Sequence, residues 1–418
     1  MLIMTFFSVG DQEVMRKTQS AQERFRESIP ALLRWYEYNA RVLPWREDPD
    51  PYHVWISEIM LQQTRVEAVR GYYERFLSEF PTIRAVAEAP EDRLVKMWEG
   101  LGYYSRVRNI AGAAKILCER YDGALPADYE LLRGLPGIGE YTAGAIASMS
   151  FGICVPAVDG NVLRVYARLT AYRDDIRAES FHRYVRENLA AAMSEADEAT
   201  DERSAPGTSL PGRVNQAIMD IGATVCIPNG KPHCDVCPLA HLCAAYAEDL
   251  TGEIPRKAEK KARPVERKTV LVIRREGRVL LHRRPGKGLL AGLWEFPNVP
   301  DWRTSEGAKR SAAEVLAAAC REDFPKDGRT AGSSANTPRM RAHRLEDCRH
   351  VFSHIEWEMR GYRIEVDEGS ADGSDGTFPE CAAGRDVPGA PGSEYVWATA
   401  EELSGVYGLP SAFQYYKA

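Results

Sequence analysis

Four cysteines stand close together: Cys226, Cys234, Cys237 and Cys243, in the spacing C-x7-C-x2-C-x5-C. Four thiolates spaced this way close one tetrahedral zinc site or hold a cubane iron–sulfur cluster. Spacing does not choose between them, and His233 and His241 add possible nitrogen ligands. Two carboxylates carry a second chemistry. Glu58 lies in YHVWISEIMLQQTRV, with Trp55 at i−3 and Leu61 at i+3, near the apolar face of a helix. A carboxyl desolvated there has its pKa raised and holds a proton near neutral pH. Asp159, in Val158-Asp159-Gly160-Asn161, stands where a helix N-cap is expected. Capping does not exclude catalysis, because backbone N–H groups bonded to the carboxylate keep it ionised. One protonated and one ionised carboxyl are what cleavage of a glycosidic bond needs.

These groups need a scaffold. Apolar residues recur at spacings of three and four over residues 23–150, again over 162–185, and again over 214–225. Within the first run, residues 128–150 read DYELLRGLPGIGEYTAGAIASMS, which predicts a helix, a Leu135–Gly139 turn and a second helix. Gly137 and Gly139 are expected to take backbone conformations closed to other residues. The second helix then opens with bare N–H groups that can bind a phosphate without reading sequence. Residues 194–213 hold five acidic residues and then Ser, Pro and Gly, which predicts a solvated, mobile insertion.

Residues 256–268 carry seven basic residues and predict an interdomain linker. Beyond it the period changes to strand alternation. A hairpin is expected around Glu276-Gly277, a helix at 305–320, strands at 351–359 and 362–366, and a helical turn at 400–403. Residues 326–338 and 369–394 read as Gly/Ser/Pro-rich loops.

A chain of 418 residues has room for two or three domains. Its 44% hydrophobic and 27% charged residues exclude wholesale disorder, collagen and a small disulfide scaffold. Nine cysteines are not a disulfide framework here, and the five outside the cluster read as small hydrophobes. The apolar run 2–9 is too short to span a bilayer and has no basic residues before it, so a cytoplasmic protein is expected. A net charge of −6 argues against a protein that only coats DNA, but leaves room for a local basic groove.

The longest motifs are WISEIMLQQTRVEAV from Trp55, WEGLGYYSRVRNI from Trp98, LPGIGEYTAGAIAS from Leu135, VDGNVLRV from Val158, the four cysteines, and GLLAGLWEFP from Gly288. On these the chain resembles the adenine DNA glycosylases of the MutY family, in the helix-hairpin-helix glycosylase superfamily, from about residue 31 to the end. The resemblance implies an all-α glycosylase domain of two helical lobes over 23–255, with its hairpin at 128–150 and an iron–sulfur loop at 226–243. After the linker 256–268 it implies an α+β Nudix-like domain over 269–418. The expected activity is hydrolytic, monofunctional removal of adenine mispaired with 8-oxoguanine or guanine in double-stranded DNA, leaving an abasic site. The expected enzyme is a monomer.

Residue by residue, the resemblance makes Glu58 the general acid and Asp159 the carboxylate that stabilises the sugar cation. Tyr141 would assist at the reacting sugar, Asn161 would stand beside the aspartate, and Arg46 would contact the extruded adenine. Gln63 and Tyr103 would fill or wedge the base stack, and Gly137 and Gly139 would sit on the DNA backbone. Phe352, Ser353 and His354 would form a loop that reads the opposite base. The four cysteines would hold a 4Fe–4S cluster. The first cysteine gap is seven residues where the family usually has six, which predicts a longer loop. Residues 312–323, AAEVLAAACRED, lack the R-E-x-x-E-E run of Nudix hydrolases, so the second domain is expected to bind rather than catalyse.

Rival readings fit less well. A lyase of the same superfamily needs a Schiff-base lysine two residues after LPGxG, where this chain has Tyr141. A non-catalytic metal-binding DNA protein explains the cysteines and hairpin but not Glu58 with Asp159.

Overall fold

The computed structural model describes residues 20–199, 209–257, 262–322, 339–366 and 395–417. They form two compact units. The first takes the described residues up to Ala89 and those of Arg108–Lys260, and it is helical. Its helix Pro51–Leu61 starts on a proline, with Asp50 as N-cap accepting from Tyr52 N at 2.8 Å. Every residue from Val54 to Met60 is buried, so this is a core helix rather than an amphipathic one. It packs on the helix Glu140–Phe151, itself buried from Thr142 to Ser150. The helices Gly160–Leu169 and Leu210–Thr224 complete the centre.

The hairpin runs from the helix Tyr129–Arg133, capped by Asp128, into Glu140–Phe151. Gly137 has φ +76°, and a Cβ there would stand 2.6 Å from the Asn109 Cβ, so only glycine fits. Gly139 departs from expectation. Its backbone is extended and the space around it is open, so no conformational demand calls for glycine there.

The acidic insertion is shorter than expected. The helix Glu179–Glu198 runs into it and Leu210–Thr224 begins inside it. Ser209 is buried and caps that second helix while donating to Ser148 O at 3.0 Å. Residues 200–208 lie outside the described ones.

The second unit takes Pro90–Val107 and the described residues from Lys261 on. Among the described residues its sheet has seven strands, β1 (Val265–Arg275), β2 (Arg278–Arg283), β3 (Trp294–Glu295), β4 (Asn298–Pro300), β5 (Met340–Val351), β6 (Glu356–Val366) and β7 (Tyr395–Ala398), in the order β3-β2-β1-β6-β5, with β4 on β1 and β7 on β2. β1 (Val265–Arg275) lies parallel to β6 (Glu356–Val366), and the other pairs are antiparallel. β1 turns into β2 (Arg278–Arg283) through Glu276-Gly277, both at positive φ, as a two-residue hairpin demands. Alternate residues of β1 serve two cores. Val270 and Val272 face Trp357, Leu409 and Phe413, while Leu271 and Ile273 face Ala308 and Ala312 of the helix Ser305–Glu322.

Three expectations need correction. Residues 265–268 are not linker: β1 begins at Val265, because its backbone pairs with β6 from Glu356 onward. The strand expected at 351–359 is broken. β5 (Met340–Val351) ends where it was thought to begin, and Phe352 N donates to Ile355 O in a turn before β6. The break between the units falls inside 256–268, where the linker was expected, but the sheet unit also takes an earlier segment. Pro90–Val107 belongs to the sheet unit, because the Lys96 ammonium donates to Leu403 O and Tyr407 O, and the Glu99 carboxylate accepts from Leu409 N and Gln414 Nε2. The loops expected at 326–338 and 369–394 fall outside the described residues.

Candidate active site

Glu58 points from its helix into a cavity of about 830 Å³. Arg41, Arg46, Gln63, Tyr141, Asp159 and Asn161 share the lining. The volume suits a small organic group such as a nucleobase; ligand pockets run to roughly 300–1,000 Å³. Six of the sequence-predicted residues therefore meet in one place. The Tyr141 hydroxyl donates to Glu58 Oε2 at 2.7 Å. Glu58 is only 5% exposed. Burial pushes its pKa up to about 7; the Tyr141 hydrogen bond lowers it, Asp159 raises it, and Arg46 and Arg41 lower it. The proton expected on this carboxyl thus has a physical cause, desolvation against charges that only partly compensate.

Asp159 caps the helix Gly160–Leu169. Its Oδ1 accepts from Asn161 N at 2.9 Å and Val162 N at 2.8 Å, and its Oδ2 from Asn161 Nδ2 at 2.7 Å. Here the structure adjusts the expectation. Burial raises the Asp159 pKa, and the N–H donors pull against it without cancelling it. Every one of those groups donates, so the charged form has the better hydrogen bonds. Burial and bonding oppose each other on this carboxyl.

Three residues at the site were not singled out from sequence. Asp220, from the helix Leu210–Thr224, is fully buried and accepts from both terminal nitrogens of Arg46, at 2.7 and 2.8 Å, and from Arg41 Nε at 2.6 Å. Its signal was a lone carboxylate in the apolar run AIMDIGA. Arg41 is the second cation of this group. Arg164 donates to Asn161 Oδ1 at 2.8 Å and to Cys226 O at 2.7 Å, so one buried side chain reaches from the Asp159 cap to the first cysteine. Its signal was an arginine inside VLRVYARL.

Cys226, Cys234, Cys237 and Cys243 line a single cavity with Arg168. Among the described residues, no three His, Cys, Asp or Glu side chains converge on one ion. The four thiols surround a space instead, with no carboxylate in its lining. Arg168 NH1 donates to Cys226 Sγ at 3.2 Å, which places a cation beside what would be a thiolate. Four thiols, with the His233 imidazole in the same lining, are a donor set for zinc or for an iron–sulfur group.

Gln63 and Tyr103 are both held at positive φ, +57° and +48°. Such strain in a non-glycine residue persists where the surroundings enforce it. Tyr103 does not line the cavity. It is 45% exposed, and its hydroxyl lies 2.7 Å from Ser353 Oγ. The sheet unit thus joins two residues that the sequence reading had given separate tasks. Phe352 packs edge-on against Trp357, with centroids 4.8 Å apart, while Ser353 and His354 are exposed at the turn.

Residues 56–191 match the HhH-GPD superfamily of base excision DNA repair proteins, and residues 269–417 match the NUDIX domain. Adenine DNA glycosylase from Mus musculus is 33% identical, over 81% of this chain and 71% of its own. The one from Homo sapiens is 33% identical, over 85% and 71%. The chain belongs to the adenine DNA glycosylase family. One from Buchnera aphidicola subsp. Baizongia pistaciae is 36% identical over 64% of this chain and 72% of its own. Among solved structures, a thermostable thymine-DNA glycosylase covers 55% of this chain and 100% of its own, at 25% identity and a TM-score of 0.47. As a member of the adenine DNA glycosylase family the enzyme is a DNA N-glycosidase, and among its described residues no helix is long and apolar enough to cross a membrane.

Proposed function

We propose that the enzyme removes adenine paired opposite 8-oxoguanine or guanine, by hydrolysis and without cutting the strand. The observation that carries this is Glu58: a buried carboxyl with a pKa near 7, bonded to Tyr141 and sharing one cavity with Asp159. An adenine inside a duplex cannot reach that cavity, so its nucleotide is extruded, at a cost of a few kcal/mol. Gln63 and Tyr103 offset the cost by occupying the disturbed stack. Glu58 gives its proton to a ring nitrogen of adenine, the bond from that base to C1′ breaks, and the bonding pair leaves with adenine. The cation left on the sugar is stabilised by the Asp159 carboxylate. Water adds to C1′ and its proton goes to Glu58, which restores the starting state. Tyr141 stands where lyase relatives carry an amine. A phenol forms no Schiff base, and this one is committed to Glu58. The hairpin around Gly137 and Gly139 would hold a backbone phosphate.

Duplexes with adenine opposite 8-oxoguanine, guanine, thymine or cytosine test the reading. Breaks at the first two, appearing only after alkali, are expected. Breaks without alkali, or protein trapped on DNA by borohydride, would make it a lyase.

Cys226, Cys234, Cys237 and Cys243 would hold a 4Fe–4S cluster. Bound there, it would tie the loop 226–243 together, and Arg164 links that loop to the Asp159 cap. The protein is expected to be brown, with about four irons per chain. Cys234→Ser should lose iron and DNA affinity together. A colourless anaerobic preparation holding one zinc would overturn the assignment.

Reading of the opposite base falls to the turn Phe352–His354. 8-Oxoguanine adds a carbonyl and an N–H to guanine, and the Ser353 hydroxyl and His354 imidazole can bond to them. Phe352 anchors the turn on Trp357. Ser353→Ala with His354→Ala should cut discrimination between 8-oxoguanine and guanine by roughly 1–3 kcal/mol. Single-turnover chemistry at saturation should change much less. An unchanged preference in competition between the two duplexes places the reading elsewhere.

A further inference from the structure

We infer that Asp220 is a positioning residue for proton delivery: it holds the guanidinium groups of Arg41 and Arg46 against the cavity wall and so keeps them from taking Glu58 as their partner. The inference rests on Glu58 being the acid. Its geometric basis is the layering of the site. Asp220 does not line the cavity; the two arginines do, and so does Glu58. Behind that lining Asp220 is fully buried and both its oxygens are saturated, by Arg46 NH1 and NH2 and by Arg41 Nε and N. Burial alone would raise its pKa, but Arg46 and then Arg41 hold it below the usual carboxylate range, so it is ionised. Tyr36 stands behind the same group, its ring 5.9 Å from the Arg46 guanidinium and its hydroxyl spent on Gln216.

Charge decides what happens when this anchor goes. The groups acting on Glu58 are Tyr141, Asp159, Arg46 and Arg41. The two cations pull its proton off, while burial and Asp159 keep it on. A bidentate carboxylate fixes a guanidinium in place and in plane. Without it, two half-buried cations face a cavity with three carboxyls in its lining, Glu58, Glu67 and Asp159, and ion pairing with Glu58 becomes an available compensation. An opposite charge that closes to about 4–6 Å lowers a carboxyl pKa by roughly 1–3 units. Glu58 would then be ionised at neutral pH and have no proton to give.

The wild-type sign is fixed first. Glu58 is an acid below about pH 7 and loses that role as pH rises, so single-turnover adenine release should fall through a basic limb near 7. Asp220→Asn should move that limb down by about one unit, costing roughly eightfold at pH 7.5 and little at pH 5.5. Arg41→Met removes one cation, and should move the limb up. The double variant should bring the limb back toward wild type. A defect merely of structure lowers the rate equally at all pH and gives no opposite shifts. Equal loss at every pH in Asp220→Asn overturns the inference. If that variant does not fold, an unmoved or lowered limb in Arg41→Met overturns it instead. Glu58→Gln separates the two layers: if it keeps the wild-type rate and limb, the acid was misassigned, whatever Asp220 does.

Discussion

Glu58→Gln is expected to abolish adenine release while lesion-duplex binding stays near wild type. Glutamine keeps the shape and still accepts the Tyr141 hydroxyl, so the 2.7 Å contact can survive. What it loses is the transferable proton. General acid catalysis is worth roughly 10²–10⁴-fold, and more where the leaving group cannot depart unprotonated. Stability should move the other way. The folded-state pKa of Glu58 is raised from 4.5 to about 7, so the native state holds this proton more tightly than the unfolded chain does. Wild-type stability therefore has its full contribution below pH 4.5 and declines as pH rises to about 7. The loss is on the order of 3 kcal/mol, from 1.36 kcal/mol per unit. Glutamine has no such titration. Melting temperatures at pH 5 and pH 8 should thus differ less in the variant than in wild type. Near-normal single-turnover cleavage by Glu58→Gln removes it from the mechanism; an inactive variant that also cannot bind DNA shows a fold defect rather than a lost acid.

What could be seen of this site in the sequence was whatever local spacing encodes. Glu58 among Trp55, Ile59 and Leu61 announces a carboxyl on an apolar face, and Asp159 before Gly160 announces a cap. Both sit there. The hairpin was legible because Leu135–Gly139 interrupts two apolar helical runs. Long-range partners were not. Asp220 meets Arg41 and Arg46 across 179 and 174 residues, and no periodicity reports that. Donors around Asp159 could be counted from the chain, but the burial that outweighs them could not. The edge strand β5 hid for a different reason. Among the described residues it pairs with β6 alone and exposes many of its charged side chains, so no apolar alternation marks it as a strand. The turn at Phe352–Ile355 hid because Phe and Ile flanking a short turn look like strand. The Ser353 hydroxyl in this turn lies 2.7 Å from the Tyr103 hydroxyl, 250 residues away in the chain, and no local pattern announces that contact.

Asp159→Asn should fold and should be severely impaired, and the reasons can be separated. Asparagine caps helices about as well as aspartate, so the bonds from Asn161 N and Val162 N can be kept by its amide oxygen. The other half of the group is the difficulty. In place of Oδ2 the variant has either an amide NH₂ facing the Asn161 Nδ2 donor at 2.7 Å, or a reversed Asn161. Reversal is resisted, because Asn161 Oδ1 already accepts from Arg164 at 2.8 Å. One buried hydrogen bond is therefore lost, costing on the order of 1 kcal/mol of stability. The catalytic loss is expected to be larger. A neutral amide cannot stabilise the sugar cation, and removing one such electrostatic partner costs roughly 10²–10³ in rate. Asn161→Ala supplies the comparison: it also breaks the bond to Oδ2 and removes one of the acceptors of Arg164, which keeps Cys226 O, but it leaves the Asp159 charge in place. Single-turnover rates on adenine opposite 8-oxoguanine should then fall far more in Asp159→Asn than in Asn161→Ala, with similar small decreases in melting temperature. Equal rates in the two variants would mean that the cap network, and not the carboxylate, limits the reaction; full activity in Asp159→Asn would leave Asp159 as a helix cap alone.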